Sequence, residues 1–167
     1  KDVICNPFDT RSPGWSVFSE GRKASDFEMM AKALIPEQKG MVDPFWILAA
    51  RILFSKIADG LRIKGKPTNE LLLSQLLKID LSEMAALLKN TAAQSIIDEQ
   101  SPKTALSVRA VMSAYLSCLE HLPSGTPVGV PGAPAGNFSI RDWIEDDARD
   151  GFLFLTSRGD MHESIKG

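Results

Sequence analysis

The sequence predicts a mainly α-helical chain: an all-α body of several helices, entered and left by short strands. That is the form of an α-helical insertion in an α/β domain once cut out. Three observations predict it. Residues 43–61 are apolar nearly all round a helical wheel. Most of the chain between 25 and 122 shows capping signals followed by apolar residues at 3–4 spacing. Strand-type runs occur only near the ends, at Val3-Ile4-Cys5 and at Gly151-Phe152-Leu153-Phe154-Leu155-Thr156.

The stretch Asp43–Leu61 is the centre of the plan. Asp43 is a good N-cap, since its carboxylate accepts from an orphan amide of the first turn. Pro44 suits the first helical position, where a fixed φ helps and a missing N–H costs nothing. Beyond it the polar residues Arg51, Ser55, Asp59 and Arg62 form one narrow stripe, with Lys56 beside it. Such a helix must be wrapped by its neighbours. It is too short and too charged for a membrane span, which needs roughly 20 nearly uninterrupted apolar residues.

In chain order, Val3-Ile4-Cys5 ends at the turn-forming Asn6-Pro7-Phe8-Asp9. A loop follows through Arg11 and Ser12-Pro13-Gly14, with Trp15 and Phe18 expected to pin it to the body. Ser25-Asp26-Phe27-Glu28 reads as a capping box opening a helix to about Leu34, stopped before Pro36. After the central helix, Thr68 caps a helix to Leu77 with Leu72, Leu76 and Ile79 on one face. Asp80-Leu81-Ser82-Glu83 starts another, burying Leu81, Met84, Ala85 and Leu88 and ending near Asn90. Thr91 caps a short apolar turn with Ile96 and Ile97. Ser101-Pro102 launches a long helix to about His121, with Val108, Val111, Met112, Tyr115 and Leu119 facing the core. On another side Ser107, Ala110, Ala114 and Ser117 are small, which would let a neighbouring helix approach closely. Pro123–Gly136 is a Pro/Gly-rich loop. Ser139 caps a short helix with Trp143, and Gly151–Thr156 has the continuous apolar pattern of a strand covered on both faces.

The totals bound the function. A length of 167 residues is about one domain with a real core. The net charge of −2 excludes a bulk basic signature, so polyanion binding requires a local patch. Cys5 and Cys118 form no CxxC pair, which indicates neither a zinc site nor a disulfide framework. Reduced, buried thiols fit a cytosolic compartment. The chain does not begin with Met, and both ends look like pieces of sheet, so an excised fragment is expected.

No catalytic constellation emerges. His121 ends a helix, where a cation favours the dipole, and His162 has no ligand-spaced partner. Asp142, Glu145, Asp146, Asp147 and Asp150 lack the register of a calcium loop. Gly60-x-x-x-x-Gly65-Lys66 looks like a phosphate-binding P-loop. But Pro67 stands where a Ser or Thr should reach magnesium, and the stretch follows a helix rather than a strand. It reads as a basic inter-helix turn. Positive charge does cluster there: Arg62, Lys64 and Lys66, with Lys56 one turn back, are the candidate contacts for DNA or a partner. The cluster fits either phosphate contacts along a single strand or a plain solvated turn. Aromatic residues for base stacking are scarce.

Several motifs carry a resemblance. They are Asn6-Pro7-Phe8-Asp9-x-Arg11 with Trp15, Ala33-Leu34-Ile35-Pro36, Asp43-Pro44-Phe45-Trp46 and Ala50-Arg51-x-x-Phe54. Lys103-Thr104-Ala105-x-Ser107-x-Arg109-Ala110-Val111, Phe138-Ser139-Ile140-Arg141-Asp142-Trp143 and Gly151-Phe152-Leu153-Phe154 continue it. Together they resemble the TraD branch of the type IV coupling proteins of conjugative transfer, along essentially the whole chain.

The resemblance implies a membrane-anchored hexameric ATPase that couples a relaxase–DNA complex to a secretion channel. It sits at the cytoplasmic face of the bacterial inner membrane. In that family an all-α domain is inserted in a RecA-like nucleotide-binding domain and is thought to recognise DNA or proteins. Residues 1–24 are then the outgoing strand and linker, and 25–122 the all-α domain. Residues 123–150 are the loop and short helix, and 151–167 the returning strand. The fragment itself is expected to be a non-catalytic monomer without cofactor. ATP and Mg belong to the parent, and relaxase, relaxosome proteins and DNA are the implied partners. The alternative is a protein-docking module, for relaxase, accessory or effector proteins, that makes no DNA contact.

Overall fold

The computed structural model describes residues 2–37, 44–65, 67–94, 102–122, 138–148, 150–157 and 159. The chain runs β1 (Val3–Cys5), α1 (Val17–Glu20), α2 (Ala24–Leu34), α3 (Pro44–Ile63), α4 (Asn69–Lys78) and α5 (Leu81–Leu88). It continues with α6 (Pro102–Leu116), a 3-10 turn (Ser117–His121), α7 (Ile140–Glu145) and β2 (Leu153–Leu155).

Helix α3 is the axis of the body, packed against α2, α4, α5 and α6. Ile47, Ala49, Ala50, Leu53, Phe54, Ile57, Ala58 and Leu61 are all buried on it. Only its ends show large apolar groups to solvent, at Phe45 and Ile63. Of the expected polar stripe, Arg51 and Ser55 bond main-chain groups, while Asp59 and Arg62 pair with each other. Arg51 Nε donates to the Ile35 carbonyl at 2.8 Å, and Ser55 Oγ donates to Arg51 O at 2.8 Å. Asp43 lies outside the described residues, so its cap does too.

Local capping signals place most helix starts. Thr68 Oγ1 accepts from Leu71 N, Asp80 Oδ1 from Glu83 N, and Ser139 Oγ from Asp142 N. Leu72, Leu76, Ile79, Met84 and Leu88 are buried as the periodicity requires, while Leu81 and Ala85 pack against the core only partly buried. Asn90, just past α5, adopts a positive φ of 62° and so ends the helix in the left-handed region. Ser101, Ile96, Ile97 and the Pro/Gly-rich loop lie outside the described residues.

Three expectations are corrected. The N-cap of α2 is Lys23, two residues earlier than Ser25: Asp26, not the Ser25–Glu28 pair, reaches back, its Oδ2 accepting from the Arg22 and Lys23 amides. A buried carboxylate facing two amides outweighs the exposed Ser25. The long helix stops at Leu116 and tightens to a 3-10 turn; of its small face Ser107 is half-buried, while Ala110, Ala114 and Ser117 have no helix over them among the described residues. Small side chains permit a close neighbour without requiring one. Finally, the two strands pair with each other, in parallel, with Val3, Ile4 and Cys5 opposite Leu153, Phe154 and Leu155. Phe152 and Leu155 stay exposed, because the described residues provide no layer over them.

The two ends of the body are thus drawn together. A second parallel bridge joins Trp15 to Phe138, and Phe138 N donates to Gly14 O at 2.7 Å. Asn69, buried at the start of α4, ties this seam to the helices. Its Oδ1 accepts from Ser16 Oγ and Val17 N, and its Nδ2 donates to Trp15 O and Leu122 O.

Candidate nucleic-acid and partner interface

Helical phase decides which cations converge. Lys56 and Gly60 on α3 and Lys64 just past its end recur every four residues, so they fall on one side, with Lys64 N still donating to Gly60 O. That face looks onto α4 and α5 across a groove of about 510 Å³. Ser74, Gln75 and Lys78 line it from α4, and Glu83, Ala86 and Leu87 from α5. Its floor is aliphatic, made by the buried Ile57, Leu61 and Ile79. Arg109 fixes the α4–α5 junction beneath, its guanidinium donating to the Ile79 carbonyl.

The sequence-predicted cations therefore divide. Lys56 and Lys64 stand exposed on the groove rim. Arg62 points elsewhere on α3 and is half-buried against Asp59, donating from Nε at 2.9 Å and from its terminal nitrogen at 2.7 Å. Lys66 lies outside the described residues. Lys78, which sequence reasoning passed over, joins the rim from the last turn of α4. Its only sequence signal is its i+4 relation to Ser74, and the facing of α4 toward α3 cannot be read from that.

The glycine–lysine turn after α3 does not fit a nucleotide phosphate. A phosphate cradle needs free backbone amides, but Lys64 N already donates to Gly60 O and Gly65 N to Arg62 O, both at 3.1 Å. Gly60 belongs to α3 itself, and Gly65 takes φ +69° to turn the chain toward α4.

A second polar cluster holds α7, which buries no residue of its own. Glu20 supports its N-terminus: Oε1 accepts from Ile140 N at 2.6 Å and from Trp15 Nε1 at 3.0 Å, while Oε2 accepts from Arg141 N at 3.1 Å. Arg141 pairs with Asp26 at 3.3 Å, and Arg22 pairs with Asp142 and Glu145. The Asp26 carboxyl is held below its usual range, first by the Arg22 amide, then by the Lys23 amide and Arg141. Burial, reinforced by Glu20, pushes the Cys5 thiol up to about 11. Both cysteines are free thiols. His121 stacks against Phe8 with ring centroids 5.5 Å apart. Asp142 and Glu145 of the acidic run are thus engaged by Arg22, while His162 lies outside the described residues.

Comparison with known proteins identifies this arrangement. The family described as the type IV secretion-system coupling protein DNA-binding domain matches residues 1–167. The chain belongs to that family. Coupling protein TraD of Escherichia coli (strain K12) is 33% identical over 168 residues, covering 99% of this chain and 22% of that protein. The plasmid coupling protein TrwB, solved with the non-hydrolysable GTP analogue GDPNP, superposes with a TM-score of 0.73 at 30% identity. It covers 98% of this chain and 37% of that one. TrwB solved with ADP and Mg2+ gives 0.73 at 31% identity, with the same coverage. The chain thus spans about a fifth of TraD and over a third of the solved TrwB chains. The fold is that of the mainly helical part of these coupling proteins, and the chain's place is in conjugative type IV secretion. No helix among the described residues of this coupling-protein domain is long and apolar enough to cross a membrane.

Proposed function

We propose that the chain is the substrate-recognition domain of a type IV secretion coupling ATPase, acting by binding and positioning the relaxosome. In this reading the all-α body meets DNA or relaxosome protein, and a motor elsewhere in the parent supplies the work. Residues 1–24 and 151–167 lead from and to the motor's nucleotide-binding sheet. Two parallel strands with exposed apolar faces support that placement, because parallel sheets ordinarily have both faces covered. ATP and Mg2+ would bind the parent, which would assemble as a homohexamer anchored at the cytoplasmic face of the inner membrane. This domain would contribute no reacting group.

The observation that carries the reading is the convergence of Lys56, Lys64 and Lys78 on one groove, none of them held in an ion pair among the described residues. Mobile ammonium groups unspent on internal partners are what phosphate contacts need. Titrating labelled single-stranded DNA across a salt series tests it. Three contacts give a slope of about −2 in log K against log salt. The K56E/K64E/K78E variant should lose that dependence, while R62E should keep it. Unchanged DNA affinity in the triple variant would remove the groove from the reading. A protein-docking role without DNA contact is favoured by the groove's aliphatic floor. Capture of relaxase by a chain that binds no DNA would select it.

A further inference from the structure

We propose that the groove between α3, α4 and α5 is the docking site for an acidic amphipathic helix of a partner protein. The inference rests on the recognition role above and names the chemistry of the segment recognised.

The rim lysines can meet either a phosphate or a carboxylate, but the aliphatic floor beneath them offers burial only to a peptide's apolar anchors. Single-strand sites work by stacking bases on aromatic side chains, and no aromatic residue lines this groove. The floor of Ile57, Leu61 and Ile79, with Leu87 on one wall, suits aliphatic side chains instead. Glu83 on the rim opposes a continuous row of phosphates, and its carboxylate is already engaged by the Asp80 amide. The dimensions agree as well. Lys56 on α3 and Lys64 just past its last residue are eight residues apart, about 12 Å of rise at helical geometry. An apolar stripe at i, i+3, i+4 and i+7 of a docked helix spans about 10.5 Å on the same geometry. Its flanking carboxylates then fall beside Lys56 and Lys64 on one side and Lys78 on the other. A volume of about 510 Å³ is in the range of ligand clefts and large enough for such a stripe.

The test uses the 167-residue chain and three fluorescent probes. One is a designed helical peptide with leucines at i, i+3, i+4 and i+7 and glutamates elsewhere. The second has the same composition in scrambled order, and the third is a single-stranded oligonucleotide. The striped peptide should bind at least about 10-fold tighter than the scrambled one, since groove recognition depends on the anchors. Ala86 is exposed on the groove wall, so A86W fills the groove without touching a lysine or the core. It should weaken the striped peptide about 10-fold or more while leaving oligonucleotide affinity within about twofold. K56E/K64E/K78E should weaken the striped peptide, and R62E should leave it unchanged. Equal binding of the two peptides, or indifference of the striped peptide to A86W, overturns the inference. Oligonucleotide binding without peptide binding overturns it and leaves the recognition role standing. Peptide binding without oligonucleotide binding supports the inference and removes the DNA half of that role.

Discussion

Replacing Asn69 is the sharpest test of how the seam is held. Asn69 is 1% exposed, and its side chain makes hydrogen bonds to two separate stretches: Trp15, Ser16 and Val17 on one side and Leu122 on the other. Asn69→Ala takes away both its acceptor and its donors. The Val17 amide then loses a buried acceptor, at about 2 kcal/mol within the usual range of 1–3 for an unsatisfied buried group. The Trp15 and Leu122 carbonyls, each with a second lone pair to offer, add roughly 0.5–1 kcal/mol apiece. The sum is about 3–4 kcal/mol, a large part of the total stability of a domain. With a urea slope of about 2 kcal/mol/M the midpoint should fall by about 1.5–2 M. Circular dichroism reports the helices and Trp fluorescence reports the seam at Trp15. Asn69→Asp keeps the acceptor but turns a second oxygen toward two carbonyls and buries a charge. It should be at least as damaging at neutral pH, with the deficit shrinking as acid protonates it. A loss below about 1 kcal/mol in Asn69→Ala would refute the reasoning, since the seam would then be held by other contacts.

Other expectations follow from single contacts. A Cβ on Gly21 would lie 2.4 Å from Cε1 of the fully buried Phe27, so G21A should cost about 1–3 kcal/mol by overpacking; an unchanged melting temperature would contradict this. Glu20→Gln removes the charge at the start of α7, and amide exchange at Ile140 and Arg141 should quicken about 10-fold, as for a lost cap of ordinary strength. Wild-type exchange rates there would show that α7 is held without it. Asp9 is lowered from the ordinary 3.8 to about 2, chiefly by the Arg11 side chain and then its amide. A depressed carboxyl contributes stability above its unfolded value and loses it as pH falls through about 2. NMR titration should place Asp9 near 2 and, in Arg11→Ala, nearer 3.8; a wild-type midpoint at 3.8 would sink the pairing.

The burial of α3, the starts at Thr68, Asp80 and Ser139 and the core face of α6 were all legible in the residues. Each depends on side chains within one or two turns of the same helix, and that spacing is set by helix geometry. The shift from Ser25 to Asp26 was not legible, because several polar residues in one turn compete and the winner depends on Arg141, far along the chain. The small Ala110–Ala114 face could not be settled for a similar reason: a smooth helix surface says what fits, not what is there.

The sequence by itself determined the class of the fold, the helix that everything wraps and a resemblance running from end to end. It also showed that Gly60–Lys66 makes a poor phosphate loop, since Pro67 and the preceding helix are written in it. Only the tertiary structure decided which charges act together. It set Lys56 and Lys64 opposite Lys78, turned Arg62 onto Asp59, and closed Val3–Cys5 against Leu153–Leu155. The reason is rotational phase. A residue's position on its own helix follows from counting, but what that face meets depends on how distant helices pack, and packing sums many small contacts that no local pattern encodes.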